Sequence, residues 1–485
     1  MTSGIPSASG ARLSGDDYQH VLTWLHALEL LLVDGDVTKI EFEADQAGNV
    51  DDLVVHRADQ PALYHQIKFV VAQKEQLTHE WFTTPSKGSK RSPLQRFYGS
   101  YKRLTSTRGA PPQMALHTNR LPAPDDPLLK HVSGTDCKLV PRLTSQTPRS
   151  AAGKIRREWA QHLGVDEEEL GSFLGHLSIR SGREGLDELE SRCSWAMRAV
   201  GYRPDTGAVL SAIGGLRKLI RTGVRELDAD SIRVLADELN LLGGTPRATL
   251  LVQSLRPDPW PETATASVDW VDLFEGDSPE SRRQLKDPSN WNKRLKSELA
   301  LAVEHIRKQR LTDVDVQGTM RLSTGTLVGV SLSEVAGFKV AIMGREAEWV
   351  SDGPREPMGI NREWVEIGQG DDLAVAIAVS QKICGDVVTY IRGKRIPIGN
   401  LVVYSPADGP ARDVIKSPSF GLGLAASISK ALREDTRTRR EGVHVFQAGP
   451  LALAVMVGYL WNRMPMAQLY EDLGPGTGYE PTFSI

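Results

Sequence analysis

Metal-assisted cleavage of a phosphodiester needs oxygen ligands for a divalent cation and a protein cation near the phosphate or the attacking water. Asp52, Gln66 and Lys68 supply that set in two short runs, NVDDLVV at 49–55 and YHQIKFV at 64–70. Gln66 and Lys68 are two apart, so on a strand they share a face. A strand core favours Val, Ile, Phe or Tyr, and a Lys between Ile67 and Phe69 sits where charge is expensive. Residues 56–63 allow a hairpin that sets Asp52 beside Gln66 and Lys68 around one cation. Mg2+ (or Mn2+) prefers oxygen ligands and keeps several waters, so Asp52, the Gln66 amide oxygen and a substrate phosphate can suffice. Lys68 would orient or help deprotonate the water, or neutralise the pentavalent phosphate. Glu43 on the preceding strand and Glu29 on the first helix are further candidate ligands. Asp51 points to the opposite face from Asp52 in a regular strand.

These residues require a small α/β scaffold. Residues 16–33 read as a helix, with Ser14 or Asp16 as cap and apolar positions at Val21, Leu22, Leu25, Leu28 and Leu32. Residues 37–44 alternate, with Ile40 and Phe42 against Glu41 and Glu43, which predicts a strand. The two site strands follow, then a helix over 93–106 and a strand over 113–118. From Thr83 to Pro124 there are eight Lys or Arg and no Asp or Glu. Lys87, Lys90, Arg91, Arg96, Lys102 and Arg103, interleaved with Phe97, Tyr98 and Tyr101, suit contacts to a DNA backbone. A solvated edge hairpin and a solvated basic face would explain the same residues without chemistry.

The 485 residues exceed one core, so two or three domains are expected. Residues 1–150 read as the α/β core and 151–254 as a helical extension or bridge. The Pro-rich stretch 255–266 reads as a linker, and 267–485 as a second domain. The formal net charge of −3 and 25% charged residues are ordinary for a globular chain. Three distant cysteines, Cys137, Cys193 and Cys384, lack metal-ligand spacing and suit a reducing compartment. Residues 1–15 do not form a signal peptide, and the apolar stretch 451–460 is too short to span a bilayer. A cytoplasmic protein without membrane contact is expected.

In the last domain an apolar strand, a polar loop and a helix recur, at 373–382, 400–406 and 444–461. Strands that are apolar without alternation suit a parallel sheet buried on both faces, hence a doubly wound, Rossmann-like architecture. The recurrence leaves room for a diverged duplication. Ligands bind such sheets at the carboxyl ends of the strands. Ser380, Gln381, Lys382, Ser405, Gln447, Gly449 and Pro450 fall in or beside those loops, and Trp349 could stack on a base. Pro450 is also simply a good helix starter. Neither GxGxxG nor GxxxxGK[ST] occurs, so a dinucleotide or P-loop site is not supported.

Asp52 with its apolar strand and Gln66-x-Lys68 resembles the PD-(D/E)xK nuclease core, in the Mrr-like branch with Gln for the second acid. The opening GDDYQ at 15–19, VDDLVV and HQIKF resemble the nuclease domain of CD-NTase-associated effectors of CBASS anti-phage systems. SVDW at 267–270, Phe274-Glu275, Trp291-Asn292, Gly318 with RLS at 321–323, and the terminal HVFQAGPLALAVMVGYLWN, QLYED and GYEPTFSI resemble a SAVED domain. Such a domain fuses two CARF-like Rossmann halves. The resemblance implies an effector in which a cyclic di- or trinucleotide, made by a cognate CD-NTase, binds the SAVED domain. Binding would drive self-oligomerisation and license metal-dependent cleavage of double-stranded DNA. The loss of one acid leaves the number of metals open. A catalytically inactive scaffold that binds DNA or a partner, or a modification-dependent restriction enzyme, are the alternatives.

Overall fold

A computed structural model describes residues 8–32, 35–43, 50–70, 76–86, 88–129, 132, 137–139, 143, 147–181, 185–258, 260–345, 347–438, 442–474 and 476–485. The chain forms two compact units, Met1–Pro246 and Arg247–Ile485. Lys87 of the expected basic stretch and Ala44 at the end of the expected first strand lie outside the described residues.

The first unit begins with helix α1 (Ala8–Glu29), strands β1 (Val37–Phe42), β2 (Leu53–Arg57) and β3 (Leu63–Lys68), and helices α2 (His79–Thr83) and α3 (Pro93–Arg108). Strand β4 (Gln113–Thr118), helices α4 (Ala151–Leu163) and α5 (Glu167–Leu174), and strand β5 (Leu177–Ser181) follow. Helices α6 (Leu186–Ala199) and α7 (Thr206–Arg221), strand β6 (Glu226–Leu227) and helix α8 (Ala229–Glu238) complete it. One six-stranded sheet runs β5, β4, β3, β2, β1, β6. β1, β2 and β3 form an antiparallel meander, and β3, β4 and β5 are parallel. Val54, Tyr64, Met114, Leu116 and Ile179 face a core shared with α2 to α5. Tyr18, Val21, Leu22, Leu25 and Leu28 of α1 are buried, and the His26 ring lies 4.9 Å from that of His65, so α1 belongs to the other face. The helix starts at Ala8, earlier than Ser14 or Asp16 would cap it. α3 has the expected start, with a Ser92–Gln95 capping box and Pro93 in its first turn, and Gly109 ends it at φ 73°.

The 151–254 stretch is no separate bridge. β5 and β6 are the two edges of the same sheet, and α6 and α7 pack on α1. Its helices divide between the two faces: α4 and α5 join the core of α2 and α3, while α6 and α7 pack on α1, where the Cys193 thiol donates to the Val21 carbonyl.

The second unit contains β7 (Ala248–Gln253), β8 (Ala266–Asp269), α9 (Lys296–Lys308), β9 (Asp313–Thr319), α10 (Leu322–Ser331), β10 (Lys339–Met343) and β11 (Glu348–Val350). Next come β12 (Ile360–Glu366), β13 (Asp372–Ala378), α11 (Cys384–Lys394), β14 (Ile398–Pro406) and α12 (Pro418–Asp435). The last elements are β15 (Val443–Ala448), α13 (Leu451–Tyr459), β16 (Ala467–Asp472) and β17 (Tyr479–Ser484). One sheet runs β11, β10, β9, β7, β8 and the other β17, β16, β15, β13, β14, β12. In both, four parallel strands end in an antiparallel edge, β11 or β17. The orders superpose strand for strand, apart from the extra β12. The two halves share one strand order, whereas the units at 373–382, 400–406 and 444–461 all fall within the second of them. Residues 255–266 join β7 to β8 within one sheet and so do not link two units. A Pro-rich loop between parallel strands and an interdomain linker share a composition, because both need backbone that is neither helix nor ladder.

The two halves meet through α10 and α13 at backbone distance. A Cβ on Gly329 would lie 2.0 Å from the Val455 carbonyl oxygen, and one on Gly458 2.1 Å from that of Thr326. Gly329→Ala should therefore lower the unfolding free energy of this unit by roughly 1–3 kcal/mol. Gly385→Ala, in the first turn of α11 with no atom within 4 Å of its Cβ, should leave it unchanged or raise it by up to about 1 kcal/mol. Equal urea midpoints for the two variants would show that the helices do not depend on this approach.

Glu471 and Glu480 face each other across β16 and β17. Burial pushes both carboxyls up, that of Glu480 to about 7, with the charges of Glu275 and Glu471 adding to the rise and the nearby Trp291 side chain opposing it. A raised acid pKa in the folded state means that the folded chain binds the extra proton. Stability is then highest below about 4.5 and falls as pH rises towards about 7. The melting temperature of this unit should drop between pH 5 and pH 8, and Glu480→Gln should flatten that dependence. An unchanged slope in Glu480→Gln would remove Glu480 as its source.

Candidate functional site

The β2–β3 ladder pairs Leu53 with His65 and Val54 with Tyr64. Continued by one residue, that register sets Asp52 opposite Gln66. The two meet: the Gln66 Nε2 donates to Asp52 Oδ2, and the backbone N–H of Ile67 donates to the same oxygen at 2.6 Å. Gln19 of α1 reaches the Asp52 carbonyl at 3.4 Å. Gln66 is buried, whereas Lys68, at the end of β3, is exposed. Burial raises the Asp52 carboxyl above its ordinary range. Lys68, the Ile67 N–H and the Gln66 amide oppose that rise, and the charge of Glu43 adds to it.

Gln66, Lys68, Trp81, Pro93, Arg96, Phe97 and Leu116 line a narrow cleft between β3, β4 and α3. Arg96 is thus the member of the basic stretch that joins the site. Lys90 and Arg91 are exposed in the turn before α3, and Arg103 is exposed on α3. Lys102 is spent on Glu169 at 3.1 Å, beside the Tyr98 ring. Two residues that the sequence did not single out belong here. Trp81 lines the cleft, and the guanidinium of Arg120, just past β4, lies 5.8 Å from its ring centroid. A lone Trp in a five-residue helix carries no pattern of its own.

Glu29 is not a ligand of this site. It is 3% exposed, lies 2.5 Å from His26 Nδ1 and accepts from Arg57 at 3.3 Å. Arg57 is on the alternate face of β2 from Asp52, so α1 delivers Glu29 to the wrong side of the sheet. Glu43 is nearer, since its field reaches Asp52, but it is paired with Arg225 at 3.1 Å. Among the described residues, no group of three or more His, Cys, Asp or Glu could hold a metal. Asp52 and Gln66 nevertheless fit a hard cation that takes few protein oxygens and keeps its waters for substrate. They do not fit a soft or tetrahedral ion.

In the second unit the strand order reverses between β7 and β9 and again between β13 and β15. In open α/β sheets such a reversal, at the carboxyl ends of the strands, is where ligands bind. Ser380, Gln381, Gly449 and Pro450 sit at the β13/β15 reversal, where the Val379 and Ser380 N–H groups donate to the Ala448 carbonyl. Gln381 and Lys382 are exposed in the loop before α11. Ser405 lies on β14, paired in register with Asn361 of β12, one strand away from the reversal. Gln447 is engaged by a protein partner. It is buried and exchanges hydrogen bonds with Thr326 of α10, at 2.8 and 3.2 Å, so it ties the halves together. Trp349 is not a stacking platform either. It is 5% exposed, and a Cβ on Gly421 would strike its ring. The sequence also missed the β7/β9 reversal, flanked by Arg256 and Arg321. The Arg321 guanidinium donates to the carbonyls of Arg282 and Pro279.

Trp349→Ala should cost roughly 3–5 kcal/mol in a denaturant titration, as removal of a buried indole does. Full stability with loss of nucleotide binding alone would restore Trp349 as a contact residue.

Residues 295–485 match the model of the SAVED domain, described as the SMODS-associated and fused to various effectors sensor domain. The whole chain is 23% identical, over 497 aligned positions and 95% of each protein, to CD-NTase-associated protein 4 of Enterobacter hormaechei subsp. hoffmannii (strain UCI 50). The resemblance to a CD-NTase-associated effector with a C-terminal SAVED domain is thereby borne out. Solved structures of the Acinetobacter baumannii Cap4 SAVED/CARF-domain containing receptor with the cyclic trinucleotide 3'3'3'-cAAA cover 99% of both chains at 16% identity and TM-score 0.46. The Moraxella osloensis receptor of the same description covers 98% of this chain and 99% of its own, at 16% and 0.43. Scores at this level assign no residue and no ligand. No helix among the described residues is long and apolar enough to cross a membrane.

Proposed function

We propose that this chain is a cytoplasmic anti-phage effector, a cyclic-oligonucleotide-activated endonuclease that degrades double-stranded DNA with Mg2+ or Mn2+. The observation that carries the nuclease half is the meeting of Asp52 and Gln66 across β2 and β3, with Lys68 on the same face at the cleft. The sensor half rests on the SAVED match and the full-length likeness to a CD-NTase-associated protein. The activator is a cyclic di- or trinucleotide from a cognate CD-NTase, and the loops at the β13/β15 and β7/β9 reversals are where it would bind. Binding would drive self-oligomerisation, to the extent that the ligand prefers the assembled state.

Asp52 and Gln66 would hold the cation, which on binding supplies Lewis-acid stabilisation of the developing charge on phosphorus. Lys68 is exposed at the strand end, free of the burial that fixes Gln66, and can orient the attacking water or pair with a phosphate oxygen. Arg96 lines the same cleft from α3 and can take the neighbouring phosphate. Trp81 lines the same cleft from α2.

Lys68→Ala should abolish plasmid degradation in the presence of an activating cyclic oligonucleotide and Mg2+, while oligonucleotide affinity stays within about twofold of wild type. Plasmid cleavage by Lys68→Ala at the wild-type rate would refute the site. No divalent-metal-dependent cleavage by wild type across a panel of cyclic di- and trinucleotides would favour an inactive scaffold. Cleavage that needs methylated DNA and no cyclic nucleotide would favour a modification-dependent enzyme.

A further inference from the structure

We propose that the Gln66 side-chain amide is a built-in stand-in for the metal, and that the site takes a single divalent cation only when this amide turns over. The inference rests on reading the Asp52–Gln66 site as a metal centre, and it concerns how that centre is loaded. Asp52 Oδ2 already accepts two N–H groups, from Gln66 Nε2 and from the Ile67 backbone. An ionised carboxylate cannot face the amide oxygen of a buried Gln, so without metal the NH2 group must point at Asp52. A cation at the same point cannot face NH2 and must meet the amide oxygen. The two arrangements exclude each other.

The amide oxygen and nitrogen have nearly the same shape, so a half-turn about the last side-chain torsion changes the chemistry of the site without repacking it. That matters because Gln66 is 7% exposed and has no room to swing out. The Ile67 N–H belongs to the β3 backbone and stays where it is, so Oδ2 keeps one donor while the place of the amide donor beside the carboxylate is freed for the ion. The ion must also displace the amide donor and tolerate the nearby Lys68 charge. Glu43 is engaged by Arg225, and Glu29 is on the other face of the sheet. Among the described residues, two protein oxygens therefore have to be completed by water and DNA phosphate. The protein alone should bind its metal weakly, and this centre should take one ion.

Calorimetric titration of the full-length protein with MnCl2, with free Mn2+ followed by electron paramagnetic resonance, tests this without relying on cleavage. Wild type should bind one Mn2+ per chain. Gln66→Glu replaces the donor with a permanent oxygen ligand. It should tighten Mn2+ binding by at least about tenfold and melt lower than wild type without metal, with Mn2+ restoring the loss. Gln66→Leu keeps the bulk without the oxygen and should weaken binding by about tenfold or more. Equal Mn2+ affinity in wild type and Gln66→Leu would overturn the proposal, as would two ions per wild-type chain. If wild type cleaves DNA while Gln66→Leu binds Mn2+ normally, the nuclease reading stands and this inference falls. If the titrations behave as expected and no condition yields cleavage, the metal switch stands and the nuclease reading falls.

Discussion

A carboxylate held where water is scarce governs the first unit. Asp52 lies at the mouth of a sheet, and desolvation penalises its charge before any substrate arrives. The fold answers with the three groups that can stabilise the anion locally: a strand N–H, a neighbouring amide and an ammonium two residues further along the same strand. Each of these is fixed by the β2–β3 register. A slip by one residue would turn Gln66 and Lys68 to the α1 face and bring His65 and Ile67 to Asp52. The two antiparallel steps of the meander and the parallel addition of β4 therefore do more than make a core. They hold one register against the α3 side, where Arg96 and Trp81 complete the cleft.

The second unit is governed by a different constraint, the contact of two helix backbones. Gly329 and Gly458 let α10 and α13 approach more closely than any side chain would allow. Polar bonds then cross between the halves. Glu471 of β16 accepts from the N–H and the hydroxyl of Ser323 at the start of α10, and Gln447 of β15 bonds Thr326. Glu471 also sits at the positive end of α10, which favours a negative charge against the burial that opposes it. Ser323 and Thr326 lie on α10, which follows β9, and Gln447 lies at the end of β15, just before α13. A ligand seated at either reversal of strand order would therefore press on elements bonded to both halves.

Much of the first site was legible because period-two alternation is short-range information. The strands, the shared face of Gln66 and Lys68, and the hairpin with Asp52 follow from residues within twenty positions of one another. Glu29 failed for the opposite reason. Which face of a sheet a helix covers is set by long-range packing, and nothing in residues 16–33 states it. Gln447 failed likewise: its partner Thr326 is 121 residues away, and a polar residue at a strand end looks the same whether it meets ligand or helix. β5 and β6 were hidden because strands of five and two residues vanish among helical patterns. The Pro-rich stretch was misread because composition reports irregular backbone and not what lies on either side of it.

On the proposed reading, these two constraints also bear on why the nuclease would rest silent. Asp52 is already satisfied by protein donors, so the unit gains little from metal alone. What tips the balance must add oxygen ligands at the cleft, and a DNA phosphate does so. Oligomer assembly need not remodel Asp52, Gln66 or Lys68 to switch the enzyme on. It needs only to raise the local concentration of duplex at a cleft whose basic residues, Lys68 and Arg96, are already in position. Activation would then appear mainly as tighter DNA engagement, with the chemistry at phosphorus unchanged once DNA and metal are in place.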